Sequence, residues 1–211
     1  MKIFLIRQGE TDWNKQRLLQ GQVNIPLNEN GVSVAKMTAE GLRQVHFDAV
    51  YSSPLKRAFE TACLVTEGRY PVIADERIQE MGFGILEGYC IGREGYNVPD
   101  PNFIHYFTEP ELYVAAEGAE TFQEVCERTW SFMKELIENP ENQDKTILVS
   151  THGAALRSIL ITLLGKPISE FWKGGVHRNC AVTILDVTDG KITLEQENVI
   201  YYDESLSTNY D

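Results

Sequence analysis

The segment Phe4-Leu5-Ile6-Arg7-Gln8-Gly9-Glu10-Thr11 changes character halfway along its length. With Ile3, its apolar half is long enough for a short buried strand and too short for a helix. At Arg7 it turns polar, and Gly9 then permits a tight turn or a close approach by another backbone. A second stretch repeats this design. Ile147-Leu148-Val149 runs into Ser150-Thr151-His152-Gly153, followed by an apolar segment predicted as a helix over Ala154–Leu164. In each case a strand delivers polar side chains to its carboxyl end, where open α/β sheets bind ligands. The free N–H groups of the helix after Gly153 are expected to face an anion beside His152.

Between and beyond these stretches, strands and helices alternate. Strands are predicted at residues 49–52 and 72–74. One helix is expected from a cap at Asn30 to about Arg43, with Val34, Met37 and Leu42 along it. Another is expected from Pro54 to about Thr66. A third, over about 120–138, places Phe122, Cys126, Trp130, Met133 and Ile137 at helical spacing. A terminal hairpin is predicted over 181–187 and 192–200, followed by a polar tail from Asp203 that is expected to be mobile. Residues 8–29 read as a long polar loop. Residues 84–119 are irregular, rich in aromatics and carry Pro99, Pro101 and Pro110; they are expected to form an insertion over one end of a single domain spanning 1–211. The alternation predicts an α/β fold with a mainly parallel sheet.

The 31 acidic and 19 basic side chains give a net charge of −12. That excludes nucleic acid as the expected partner, because such binding relies on cations neutralising phosphates. A site for a small anion must then be built locally from a few converging cations. Cys63, Cys90, Cys126 and Cys180 form no C-x-x-C pair and no zinc-spaced cluster, so free thiols are expected. The apolar residues before Arg7 are too few for a secretory core, and no run has transmembrane length. A cytoplasmic location is therefore the expectation. Gly82-Phe83-Gly84-Ile85-Leu86-Glu87-Gly88 places its last glycine one residue late for a dinucleotide fingerprint.

Several blocks, in order, resemble the histidine phosphatase superfamily, also called phosphoglycerate mutase-like. They are Arg7-Gln8-Gly9-Glu10-Thr11, Ser52-Ser53-Pro54-Leu55-Lys56-Arg57, Gln79-Glu80-Met81-Gly82, Glu117-Gly118-Ala119-Glu120-Thr121 and Ser150-Thr151-His152-Gly153. The resemblance implies a three-layer α/β/α domain and hydrolysis of small phosphorylated metabolites without metal or cofactor. It implies that Arg7 and Arg57 grip phosphoryl oxygens with planar forks, that Glu80 donates a proton to the leaving oxygen, and that His152 adds a donor. Asn14, Gln20, Gly21 and Gly153 are expected to join the phosphate-binding set. Leu19-Gln20-Gly21-Gln22-Val23-Asn24-Ile25-Pro26-Leu27 is more similar to the small phosphatases than to the cofactor-dependent mutases, which remain the alternative. Trp172 and the terminal hairpin are candidates for a homodimer edge.

In the family the residue between Arg and Gly is a histidine that accepts the phosphoryl group. Here it is Gln8. An amide nitrogen has its lone pair delocalised and cannot attack phosphorus, but the side chain still offers hydrogen bonds to phosphate oxygens. Three origins fit: a deliberate trap for a substrate complex, a pseudoenzyme that senses a phosphorylated ligand, or a variant within an active lineage.

Overall fold

The computed structural model describes residues 1–207. Six strands form one sheet: β1 (Lys2–Arg7), β2 (Ala49–Ser52), β3 (Val72–Ala74), β4 (Thr146–Thr151), β5 (Val182–Thr188) and β6 (Lys191–Val199). Their order is β3-β2-β4-β1-β5-β6. The first four in that order run parallel, whereas β5 and β6 return antiparallel as a hairpin. This is the mainly parallel α/β sheet expected.

Because side chains alternate across a strand, the two faces of β1 enter different cores. Ile3 and Leu5 pack with Ile147 and Val149 against Phe132, Met133 and Leu136 of α5 (Phe122–Glu138) and Leu156, Ile159 and Leu160 of α6 (Gly153–Leu163). Phe4 and Ile6 pack with Leu148 against Val34, Ala35 and Leu42 of α2 (Glu29–Leu42) and Ala62 and Val65 of α3 (Lys56–Val65). The result is three layers, with helices on both faces.

Several boundaries differ from the sequence expectation, each for a local reason. The long loop contains a helical turn, α1 (Asp12–Lys15), closed by a capping box between Thr11 and Asn14. Asn28, not Asn30, caps α2, accepting from Gly31 N–H at 2.8 Å. Pro54 lies before the cap at Leu55, and α3 starts at Lys56. In α2 the buried residues include Val34, Ala35, Thr38 and Leu42, whereas Met37 is exposed. In α5 the buried stripe is Phe122, Val125, Thr129, Phe132, Met133 and Leu136; Cys126, Trp130 and Ile137 flank it, half-buried. Asp203 caps a 3₁₀ turn over Glu204–Leu206, and the rest of the predicted tail, 208–211, lies outside the described residues.

Residues 84–119 contain 3₁₀ turns and one helical turn, α4 (His105–Thr108). Bridges Leu18↔Cys90 and Phe83↔Ala119 pin this segment to the body. At Gly84, where φ is +53°, a Cβ would fall 2.1 Å from the Glu117 carbonyl oxygen, so only glycine fits the crossing. The aromatics Phe83, Phe103, Tyr106, Phe122 and Phe171 form a third core here. Trp172, expected at a dimer edge, packs against that cluster, and its indole N–H donates to the Tyr106 carbonyl at 2.6 Å. No helix among the described residues is long and apolar enough to cross a membrane.

Candidate active site

Both strand–glycine junctions open onto one rim of the sheet. β1 and β4 are neighbours, with Arg7 opposite Thr151, and Gln8 N–H donates to the Thr151 carbonyl at 2.8 Å. Gly9 N–H donates to Thr61 Oγ1 in α3 at 2.9 Å. A Cβ on Gly9 would stand 2.9 Å from the Gly31 carbonyl oxygen, so the glycine is what lets the turn sit against α2. A cavity of about 740 Å³ opens at this rim, and Arg7, Gln8, Asn14, Gln20, Glu80 and Gly153 are among the residues that line it.

Arg7 is buried and donates to the His177 carbonyl. The Gln8 carbonyl accepts from Asn179 Nδ2 at 3.0 Å, which fixes the backbone while the side chain reaches the cavity. Gln8 Oε1 is buried without a hydrogen-bond partner among the described residues. Asn14 Oδ1 accepts from Thr11 N–H at 3.1 Å, so part of its polar capacity serves α1.

Arg57 lies just behind the cavity wall, fully buried. Its guanidinium donates to the Gly21 carbonyl at 2.6 Å and the Val23 carbonyl at 2.8 Å. With the Gln20 amide turned so that its nitrogen donates to Thr11 Oγ1, its oxygen accepts from Arg57 Nε at 2.8 Å. Gly21 therefore supports Arg57 from its carbonyl. Burial lowers the Arg57 pKa to about 10, an effect opposed by Glu80 and Glu87 and reinforced by Arg7. Arg57 thus remains a cation at neutral pH.

His152 is also buried behind the wall. Ser53 Oγ accepts from Leu55 N–H at 3.3 Å and lies 2.8 Å from His152 Nε2. With the Ser53 hydroxyl proton pointing at Nε2, the ring proton lies on Nδ1, an atom with no partner among the described residues. Burial holds the His152 pKa well below its ordinary value, and Arg57, Arg128 and Arg7 push it the same way. The ring is a neutral N–H donor surrounded by cations.

The N-terminus of α6 is already occupied by an acidic side chain of the chain itself. Glu80 accepts from Ala155 N–H at 3.0 Å, Ala154 N–H at 3.2 Å and Met81 N–H at 2.9 Å. The sequence places an anion at this helix end, and the structure places the Glu80 carboxyl group there. Gly153, the first residue of α6, lies beside both groups: a Cβ there would stand 3.6 Å from Arg7 Nε and from Glu80 Oε2, an ordinary contact distance.

Supporting residues escaped the sequence reading. Arg128 donates to the carbonyls of Arg77, Gln79 and Glu80 and to the Glu120 carboxylate, clamping the segment that carries Glu80. Glu87 accepts from Gln22 N–H and Val23 N–H, each at 2.8 Å, shaping the loop whose carbonyls hold Arg57. Apart from the Arg128–Glu120 pair, these contacts run through backbone groups, which leave no mark on residue type or spacing.

A strand-end rim carrying two buried arginines and a neutral histidine offers planar forks and an N–H donor to an oxyanion. Residues 3–200 match the profile of the histidine phosphatase superfamily (branch 1), and the chain belongs to that superfamily. Phosphoserine phosphatase 1 from Hydrogenobacter thermophilus is 30% identical over 200 residues, spanning 94% of this chain and 92% of the relative. Among solved structures, Bacillus stearothermophilus YhfR superposes with a TM-score of 0.87 at 32% identity, covering 95% of this chain and 98% of its own. A mutant phosphoserine phosphatase from Entamoeba histolytica, in complex with phosphoserine, has a TM-score of 0.80 at 29% identity, covering 93% and 96%.

Proposed function

We propose that this chain binds the phosphoryl end of a small phosphate monoester, and that the same site with histidine at position 8 hydrolyses the ester through a phosphohistidine. The observation that carries this reading is the gathering of Arg7, Arg57 and a neutral His152 at one rim of a chain whose net charge is −12. A transferring phosphoryl group spreads charge over its equatorial oxygens, and catalysis is then largely positioning and electrostatic stabilisation. Arg7 and Gln8 meet those oxygens from the cavity floor. Arg57 reaches them on exchanging a carbonyl partner for phosphate, and His152 Nδ1–H supplies a neutral donor. In its protonated form Glu80, oriented by the α6 amides, donates to the leaving alcohol. Residues 84–119 form the lid that excludes water from the ester.

Gln8 binds in this scheme and does not attack. Loss of a nucleophile leaves only the help of the binding groups, ~10³–10⁴ over water in a protease precedent. A histidine-to-alanine mutant of the Entamoeba histolytica relative in complex with phosphoserine supports the reading that this fold holds an ester without one of its histidines. The chain as it stands is accordingly a phospho-ligand binder built on a phosphatase. The mutase alternative is less favoured, because the Leu19–Leu27 loop is of the phosphatase kind. A cytoplasmic setting suits four free thiols.

The test is a paired assay on p-nitrophenyl phosphate. The chain with Gln8 is expected to release almost no phosphate, and Gln8→His to restore turnover by several orders of magnitude. Failure of Gln8→His to release phosphate from any aryl phosphate overturns the catalytic assignment.

A further inference from the structure

The cavity is far larger than an anion of five heavy atoms requires. Its volume of about 740 Å³ falls within the ~300–1,000 Å³ of sites that enclose drug-sized ligands. Beyond the polar floor its walls include the apolar and aromatic Phe83, Ile91, Tyr106, Phe107, Trp172 and Val176, together with the charged Arg17, Arg93 and Glu94. These walls come from separate parts of the chain that are tied together. Trp172 donates to the Tyr106 carbonyl, and the two rings meet edge to face with centroids 5.2 Å apart. Tyr106 is held in turn between Phe103 and Phe122, stacked at 5.4 and 5.2 Å. From α6, Arg157 donates to the Phe171 carbonyl at 2.9 Å and the Lys173 carbonyl at 2.5 Å, fixing the segment around Trp172. The wall is therefore built before any ligand arrives, which lowers the ordering cost of binding. Phe107 borders the cavity while keeping 37% of its surface exposed.

We propose that the ester accepted here carries a bulky apolar or aromatic alcohol, not a short polar one such as serine or glycerate, and that Tyr106, Phe107 and Trp172 select it. This rests on the phosphate-site reading above. The phosphate anchors on the polar floor, and the alcohol lies along the aromatic wall. Burying about 55 Å² of apolar surface changes affinity tenfold, and a fused aromatic ring can bury more than that.

Calorimetric titration of the chain with Gln8 tests the idea, using inorganic phosphate, phosphoserine and 1-naphthyl phosphate. The expected result is at least ~10-fold tighter binding of the naphthyl ester than of phosphoserine. Trp172→Ala and Phe107→Ser are expected to bring that ratio close to one, with inorganic phosphate binding as before. Should Trp172→Ala fail to fold, Phe107→Ser, whose ring is already partly in solvent, carries the comparison. If phosphate binds but the naphthyl ester shows no advantage, or if both variants keep the full ratio, this inference is overturned and the phosphate site stands. If none of the three ligands binds, the phosphate site falls and this inference falls with it.

Discussion

Arg128 directs its whole fork at the segment that presents Glu80. It donates from Nη1 to the Arg77 and Gln79 carbonyls, from Nη2 to the Glu80 carbonyl, and from Nε to Glu120 at 2.6 Å. Arg128→Met would leave those acceptors without their donor in a part-buried setting. The expected loss is about 2–3 kcal/mol, or roughly 4–12 °C in melting temperature for a chain of this size. Arg128→Lys should recover less than half of it, because an ammonium cannot reproduce the planar fork. Thermal melts of the two variants measure this, and equal melting of Arg128→Lys and wild type would refute it. The contrast with Arg7, Arg57 and His152 is instructive. Those three stand next to a strand end or helix start with a glycine or proline nearby, so their letters carry positional information. Arg128 sits in mid-helix, and its partners are carbonyls some fifty residues away. Residue type cannot announce that.

Among the elements, α5 and α6 show what local signals encode. The α5 start is written in Thr121 and Glu124, a reciprocal capping box in which Thr121 N–H donates to Glu124 at 2.7 Å. Thr121→Ala should cost ~1 kcal/mol, lowering the melting temperature by about 2–4 °C. An unchanged melt would show that the cap contributes nothing. The buried stripe of α5 was harder to read, because Thr129 packs inward while Trp130 stays half-buried, reversing what hydrophobicity suggests. Thr129 can do so because its hydroxyl is satisfied by the Val125 carbonyl and Ser158 Oγ, each at 2.8 Å. The α6 start could be placed from Gly153, but not the source of its anion. Glu80→Gln would turn an amide N–H₂ toward backbone N–H donors. It should cost about 1–2 kcal/mol through the lost helix-end charge and a misplaced donor, read as a lower urea midpoint. A midpoint equal to wild type would remove Glu80 from the list of groups that hold α6 in place.

Taken as a whole, the molecule should be sensitive to mild acid. His152 and His177 are both buried and neutral, with the His177 pKa lowered to about 3 by burial, Arg157 and Arg7. The unfolded chain binds these protons near pH 6.5 and the folded chain does not. Stability from this source is therefore complete above about pH 6.5 and is lost as the pH falls toward the folded values, by up to ~1.4 kcal/mol per pH unit for each ring. Between pH 6.5 and about 5.5, above the ordinary carboxylate range, the slope comes mainly from histidine. The urea midpoint should fall between pH 7 and pH 5, and His177→Gln should flatten the fall. A midpoint independent of pH across that range would contradict the buried neutral state of both rings. The layered architecture itself was readable from alternating strands and helices, because each strand and helix carries its own periodicity. The sheet order was not, since it depends on which distant strands pair. That order has a kinetic meaning. Strand β1 lies between β4 and β5, and residue 2 pairs with residues 146 and 186. During synthesis the first strand must wait, with both edges open, until most of the chain has left the ribosome, and the phosphate rim cannot exist before then. Contacts so remote in sequence place refolding at the slow end, on the order of milliseconds to seconds, and make β1 the segment most exposed to mispairing on the way.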